Sequence, residues 1–325
     1  MKDFRNIIFV LIIALFLLQM FVSKEDAKVK NSVEKPVIAL STFSLYDIAK
    51  HISDDTLELV MILPIGVDAH SFEPTPKIMA KLEKSALVVY SGAGLEPWTQ
   101  TFEFKNRVIN MSKYVHLREL ESEEFDTHAH HDHQCAHNSI DPHYWLNIKN
   151  MITATNLITK ELIKISPSNK DKYLQNKDEY LLMLQNLDSL YKKELNSCNL
   201  DTIIVNHNAF SYLSHSYGFH VKALSGFSPD TQVSPKDMIR VINDIKTHKV
   251  STIFFESFVS DKAIKSLAQD ANVAVETLQP LGNITKDEAD ENLTYEDIMK
   301  INLIKISKAL ECNQTLKFLS LMLKV

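Results

Sequence analysis

The chain has 325 residues, 45% of them apolar and 23% charged, with a formal net charge of −6. That length exceeds one ordinary domain and suits two, each with its own core, and the composition excludes wholesale disorder and a polytopic membrane protein. A mildly acidic chain with no dense Lys/Arg block argues against a nucleic-acid partner, whose phosphates demand clustered cations.

At the N-terminus Lys2 and Arg5 precede an apolar run, residues 7–22, whose only polar member is Gln19, and Lys24-Glu25-Asp26 follows. This is a secretory signal pattern over residues 1–23. The run falls short of the roughly 20 residues of a comfortable span, so it reads as a signal peptide or a signal anchor, and the body is expected in the periplasm or on the cell-envelope exterior. Residues 24–35 are charged and aperiodic, which reads as a tether.

The body starts near Pro36. Val37-Ile38-Ala39-Leu40 predicts a strand, and Leu45, Tyr46, Ile48, Ala49 and Ile52 predict the helix it feeds. The unit recurs as a strand over 57–63, a helix over 76–84 and a strand over 86–90, ending in Ser91-Gly92-Ala93-Gly94. Such alternation predicts parallel α/β layers. Residues 147–196 turn helical, broken at Ser166-Pro167-Ser168, and within 170–196 an apolar stripe (Tyr173, Leu174, Tyr180, Leu181, Leu184, Leu187, Leu190 and Tyr191) predicts one long helix. At 1.5 Å per residue it would be about 40 Å long, a rigid connector. Strands are then expected over 202–205, 220–223, 252–255 and 274–277, with helices around 209–217, 235–247, 261–270 and 294–310. The division is an N-terminal α/β lobe over 36–168, a linking helix over 169–197, a C-terminal α/β lobe over 198–312 and a tail over 313–325. The fold class is α/β, two parallel-sheet (βα)4-like lobes with a cleft between them.

Cys135, Cys198 and Cys312 are the only cysteines, so at most one internal bridge can form. Cys198 and Cys312 either pair in an oxidising compartment or are two small apolar residues.

Thirteen histidines are present, and position singles out three. His70 in GVDAHSFEPTP follows a predicted strand, His143 in DPHYWLN precedes a helix, and His207 in IIVNHNAF ends a strand. Open α/β sheets bind ligands beyond the carboxyl ends of their strands, so these residues, two from one lobe and one from the other, would line the interlobe crevice. Neutral imidazoles suit Zn²⁺, and three leave one position open. Asp68, Asp141 and Asn206 lie near enough in sequence to orient the rings. A second cluster, DTHAHHDHQCAH over 126–137, holds His128, His130, His131, His133 and His137; no core absorbs so many imidazoles, so it reads as a solvated loop for auxiliary metal capture.

From about Pro36 to Cys312 the chain resembles the zinc/manganese substrate-binding proteins of ABC importers, the cluster A-I solute-binding family, and most of all its zinc branch. The resemblance rests on TFSLYDIAKHI, LPIGVDAHSFEPTP, ALVVYSGAGLEPW, DPHYWL, VNHNAFSYL, FFESF and LQPLG, in that order. It implies two lobes joined by one long helix, a metal held by His70, His143 and His207, and a monomer that delivers Zn²⁺ to an ABC permease driven by a cytoplasmic ATPase. Manganese members offer a carboxylate where this chain has His207, which favours zinc. The family's LDPLG-type motif often supplies an aspartate as fourth ligand; here Gln279 takes that place, so the fourth corner is a weak Gln279 contact or water. Glu256 in FFESF matches a common glutamate and reads as either a structural or a metal-site residue. The rival readings are a secreted zinc hydrolase, against which stands the absence of HExxH or a comparable base motif, and an envelope metal-buffering or adhesion protein.

Overall fold

The computed structural model describes residues 35–120, 139–225, 235–256 and 262–313. The expected signal segment 1–23, nearly all of the tether, the histidine-rich stretch 126–137 and the tail from 314 lie outside the described residues.

The first sheet is built from β1 (Val37–Leu40), β2 (Glu58–Met61), β3 (Leu87–Tyr90) and β4 (Val108–Asn110), in the order β2-β1-β3-β4. All its pairings are parallel. Helix α1 (Phe43–Ser53) joins β1 to β2 and buries Phe43, Leu45, Ile48, Ala49 and Ile52. Helix α2 (Pro76–Lys84) starts where the sequence signals a start: Pro76 occupies the first turn, and the Thr75 hydroxyl accepts from the Ile78 N–H. Short strands β5 (Arg118–Leu120) and β6 (Ser139–Asp141) pair antiparallel on either side of the undescribed 121–138.

Helix α3 (Ile148–Ile165) is capped by the Asn147 side chain on the Asn150 N–H. A turn at Pro167–Asn169 breaks the helical run, and α4 (Lys170–Glu194) follows with 25 residues, about 38 Å at 1.5 Å per residue. The second sheet comes wholly after α4. Its strands β7 (Thr202–His207), β8 (His220–Ser225), β9 (Thr252–Phe255) and β10 (Ala274–Thr277) run in the order β10-β9-β7-β8, again all parallel. Between them run α5 (Ser211–Tyr217), α6 (Pro235–His248) and α7 (Lys262–Ala271), and after them α8 (Lys286–Asp290) and α9 (Tyr295–Ala309). Capping boxes start both closing helices, Thr285 with Glu288 and Thr294 with Asp297.

Strands of parallel sheets are buried on both faces, and the side-chain period of two sorts them accordingly. On β1, Ile38 and Leu40 join the large core while Ala39 joins a smaller cluster with Ile62, Leu82, Val88 and Trp98. On β7, Ile203 and Val205 face the large core and Ile204 the opposite side. The large core is continuous because the α4 stripe Tyr173, Tyr180, Leu184, Leu187 and Tyr191 and the α9 residues Tyr295, Ile298, Met299, Leu303 and Ile306 all belong to it. Polar atoms at these helix contacts are paired. The Tyr180 hydroxyl donates to Asp47 Oδ2 at 2.8 Å, Tyr191 to the Met299 carbonyl at 2.7 Å and Tyr295 to the Trp145 carbonyl at 2.7 Å. Cys198 and Cys312 are joined in a disulfide across 114 residues, which resolves their two readings in favour of the bridge.

Candidate metal centre

Each of the three histidines stands on a turn that its neighbours fix. His70 follows β2 and precedes α2; the Asp68 Oδ1 accepts from the His70 backbone N–H at 2.7 Å, an Asx turn that presents the ring. His143 lies two residues beyond β6, and Asp141 Oδ1 accepts from its backbone N–H at 2.9 Å and faces its Nδ1 at 2.8 Å. Asp141 is itself held by the Ser211 hydroxyl on Oδ2 and by the Tyr212 hydroxyl on its carbonyl. His207 is the last residue of β7, and its Nδ1 meets the carboxylate of Glu256, which directly follows the adjacent strand β9.

The three rings converge. His143 Nε2 lies 3.4 Å from the Nε2 of both His70 and His207, and the candidate ligand atoms all fall within 4.8 Å of one another. A tetrahedral zinc with bonds of about 2.0–2.1 Å sets neighbouring ligand nitrogens about 3.3–3.4 Å apart. Two of the three edges already have that length. Nδ1 of His143 and of His207 each faces a carboxyl group, Asp141 and Glu256, which leaves the Nε2 atoms of both rings turned toward the cavity where a cation can take their lone pairs.

Burial shapes the electrostatics. Desolvation, with His143 and His207 adding to it, lowers His70 to about 2. Desolvation, reinforced by His143, lowers His207 to about 3. Both imidazoles are therefore neutral near pH 7, the form that binds metal. Burial raises Glu256 to about 8, opposed by His143. Before a cation arrives, a neutral His207 thus stands beside a Glu256 held largely as the neutral acid.

The cavity at the rings is about 20 Å³ and is walled by Val67, Leu95, Trp145, Pro280 and Gly282 among others. One water needs about 10–15 Å³, so this is room for a single ion or water. The Trp145 ring stands edge-on to His143 with centroids 5.5 Å apart and donates from Nε1 to the Pro280 carbonyl at 2.7 Å. Gly282 passes so close that a Cβ there would sit 3.3 Å from Trp145.

Gln279, expected as a weak fourth corner, is not among the residues lining this cavity. Its Nε2 donates to Glu288 Oε2 at 2.8 Å, and its Oε1 accepts from the Leu281 N–H at 3.3 Å. The capping-box glutamate of α8 and the turn at Leu281, whose φ of 59° lies in the left-handed region, hold the carboxamide away from the rings. The carboxylate that does line the cavity is Glu256. Of the groups expected to orient the rings, Asp141 contacts an imidazole and Asp68 acts through the backbone of His70, while Glu256 serves His207. Trp145 and Asn283 also line the cavity and were not singled out by sequence reasoning; Trp145, two residues past His143 in DPHYWL, carried a usable signal. His128, His130, His131, His133 and His137 lie outside the described residues.

Comparison with known proteins agrees with this architecture. The family described as zinc-uptake complex component A, periplasmic (ZnuA) matches residues 38–309. The high-affinity zinc uptake system protein ZnuA of Bacillus subtilis is 31% identical over 282 residues, 85% of this chain and 88% of that protein. The manganese ABC transporter substrate-binding lipoprotein PsaA of Streptococcus pneumoniae is 28% identical over 304 residues, covering 92% of this chain and 97% of that one. Among solved structures, the metal-dependent lipoprotein YcdH of Bacillus subtilis superposes with a TM-score of 0.71 at 30% identity, over 85% of this chain and 99% of that one. The sequence match over nearly the whole described body and the shared two-lobed fold place this chain in the ZnuA family of zinc-uptake components.

Proposed function

We propose that this protein is the envelope receptor that captures Zn²⁺ and delivers it to an ABC importer permease. The observation that carries the reading is the convergence of His70, His143 and His207 on one small cavity, with two of the three nitrogen separations at tetrahedral spacing. Zinc, not manganese, is the cargo on chemical grounds: imidazole suits Zn²⁺, and hard ions such as Mn²⁺ prefer carboxylate and water oxygen. Water completes the tetrahedron, since Gln279 is committed elsewhere. Family membership and the zinc-uptake relative support the same cargo.

In this reading residues 36–168 and 198–312 are the two lobes and 169–197 the connector, an assignment supported by the two sheets lying on either side of α4 in sequence. Residues 1–23 export the chain, which acts as a monomer that docks on the permease, while the ATPase works from the cytoplasm. Among the described residues no helix is long and apolar enough to cross a membrane. In this reading the protein is a binder and not an enzyme, as suits its membership in a family of zinc-uptake components. The histidine-rich stretch 126–137 supplies an auxiliary, weaker store of metal.

Competition titration against a chelator of known zinc affinity tests the assignment. One tight zinc site per chain, with Mn²⁺ bound orders of magnitude more weakly, is the expected result. Tighter binding of Mn²⁺ than Zn²⁺ would overturn the choice of cargo.

A further inference from the structure

The segment that follows β10 reaches over to the lobe carrying His70 and is fastened there by backbone and side-chain hydrogen bonds. The Phe43 N–H, at the start of α1, donates to the Gly282 carbonyl at 2.9 Å, and the Gly66 N–H donates to the Ile284 carbonyl at 3.0 Å. Between these two lies Asn283, 3% exposed. Its Nδ2 donates to the Pro64 carbonyl at 2.6 Å and to the Val67 carbonyl at 2.8 Å, while its Oδ1 accepts from the Ile284 N–H at 2.8 Å. Pro64 and Val67 are the ends of a single tight turn, closed by the Val67 N–H on the Pro64 carbonyl at 3.2 Å. Val67 is three residues before His70 and lines the metal cavity with it.

The geometry points to Asn283 as a positioning residue that latches the His70 loop to the opposite lobe and sets how fast bound metal is released. This rests on the receptor reading above. His70 and His207 stand on different lobes, so freeing the ion requires the 64–70 turn to part from the segment after β10. Parting breaks both Asn283 bonds together. Two diverging carbonyl acceptors can be held from one point only by a group with two hydrogens on one atom, and a carboxamide nitrogen is such a group. A carboxylate of the same shape would turn oxygen toward both carbonyls. Buried hydrogen bonds left unmade are costly, so the latch favours the closed state without touching the ion itself.

The test compares release and capture separately. Zinc dissociation is followed by stopped flow into excess chelator for the wild type, Asn283→Asp and Asn283→Ala, and association is followed by mixing with limiting zinc. Both variants are expected to release zinc about tenfold to a hundredfold faster, from the loss of two buried bonds. Asn283→Asp should be at least as fast as Asn283→Ala, and capture should stay within about twofold because the open state lacks the latch. Wild-type release in the isosteric Asn283→Asp, or a loss of affinity arising wholly from slower capture, would overturn the proposal. Amide hydrogen exchange on the wild type covers the case in which a variant fails to fold. The Phe43 and Gly66 amides should open as one unit and be slowed together by zinc; independent or zinc-insensitive exchange at the two sites also overturns the latch. A wild type that holds no zinc would defeat the receptor reading instead, and joint opening of the two amides in that metal-free protein would still decide the latch.

Discussion

Replacing Glu256 by Gln removes one charge while keeping the shape of the group that meets His207 Nδ1. With zinc on His207 Nε2, Glu256 becomes the carboxylate that accepts from the Nδ1–H; Gln can keep the contact but not that charge. Partners that orient a ligating histidine are worth about 10–100-fold in metal affinity, so Glu256→Gln should weaken zinc binding by about 1.4–2.7 kcal/mol. Proton release gives a sharper readout. His70 and His207, lowered to about 2 and 3, are neutral imidazoles at pH 7, whereas Glu256, raised to about 8, is largely protonated. A cation on His207 Nε2 discharges the Glu256–His207 pair, so zinc binding at pH 7 should expel close to one proton from it. Calorimetric titration in buffers of different ionisation enthalpy counts that proton. Release of about one proton in the wild type, falling toward zero in Glu256→Gln, is the expected result. Equal release by both proteins, or an unchanged affinity in the variant, would refute the role given to Glu256.

The same three groups shape the pH dependence of the metal-free protein. A histidine lowered from 6.5 in the unfolded chain to about 2 or 3 withdraws stability as pH falls below 6.5, about 1.4 kcal/mol per unit for each of His70 and His207. Glu256, raised from 4.5 to about 8, acts oppositely, and its contribution fades at about the same rate as pH rises from 4.5 to 8. Their sum gives a maximum near pH 6.5, which urea unfolding of metal-free protein at pH 5 to 8 should reveal; a steady rise to pH 8 would contradict it. Reduction of the Cys198–Cys312 bridge, which closes a loop of 114 residues, should cost about 4–5 kcal/mol of stability. A melting temperature unchanged by reductant would rule that out. Gln279→Ala should lower stability by about 1–3 kcal/mol, because it strips Glu288 and the Leu281 N–H of a partner, yet leave zinc affinity within about twofold. A tenfold loss of zinc affinity with normal stability would return Gln279 to the metal site.

Much of this was legible in the sequence. The apolar run 37–40 coincides with β1, because a strand buried on both faces needs unbroken apolar residues, whereas β10 at the sheet edge reads Ala-Val-Glu-Thr and is half-exposed. The α4 stripe was legible for a related reason: its tyrosines and leucines recur at helical spacing and all enter one core. β4, β5 and β6 escaped, being only three residues each, too short for a period to register. The three histidines were found because the ends of parallel strands are where such folds gather ligands. The choice between Glu256 and Gln279 was not legible. Both follow strands of the second sheet, and what separates them is a capping glutamate on α8 that captures Gln279, nine residues away in sequence. Asn283 was hidden similarly, since its partners Pro64 and Val67 lie 219 and 216 residues distant.

In the proposed receptor His70, His143 and His207 together hold one Zn²⁺. Zinc titration of protein lacking residues 126–137, repeated with each of the three histidines changed to alanine, tests it most directly. The deletion variant should keep one tight site, and each alanine should weaken it by at least a hundredfold, since a ligand costs more than its orienting partner. Tight zinc binding that survives all three substitutions would contradict the account.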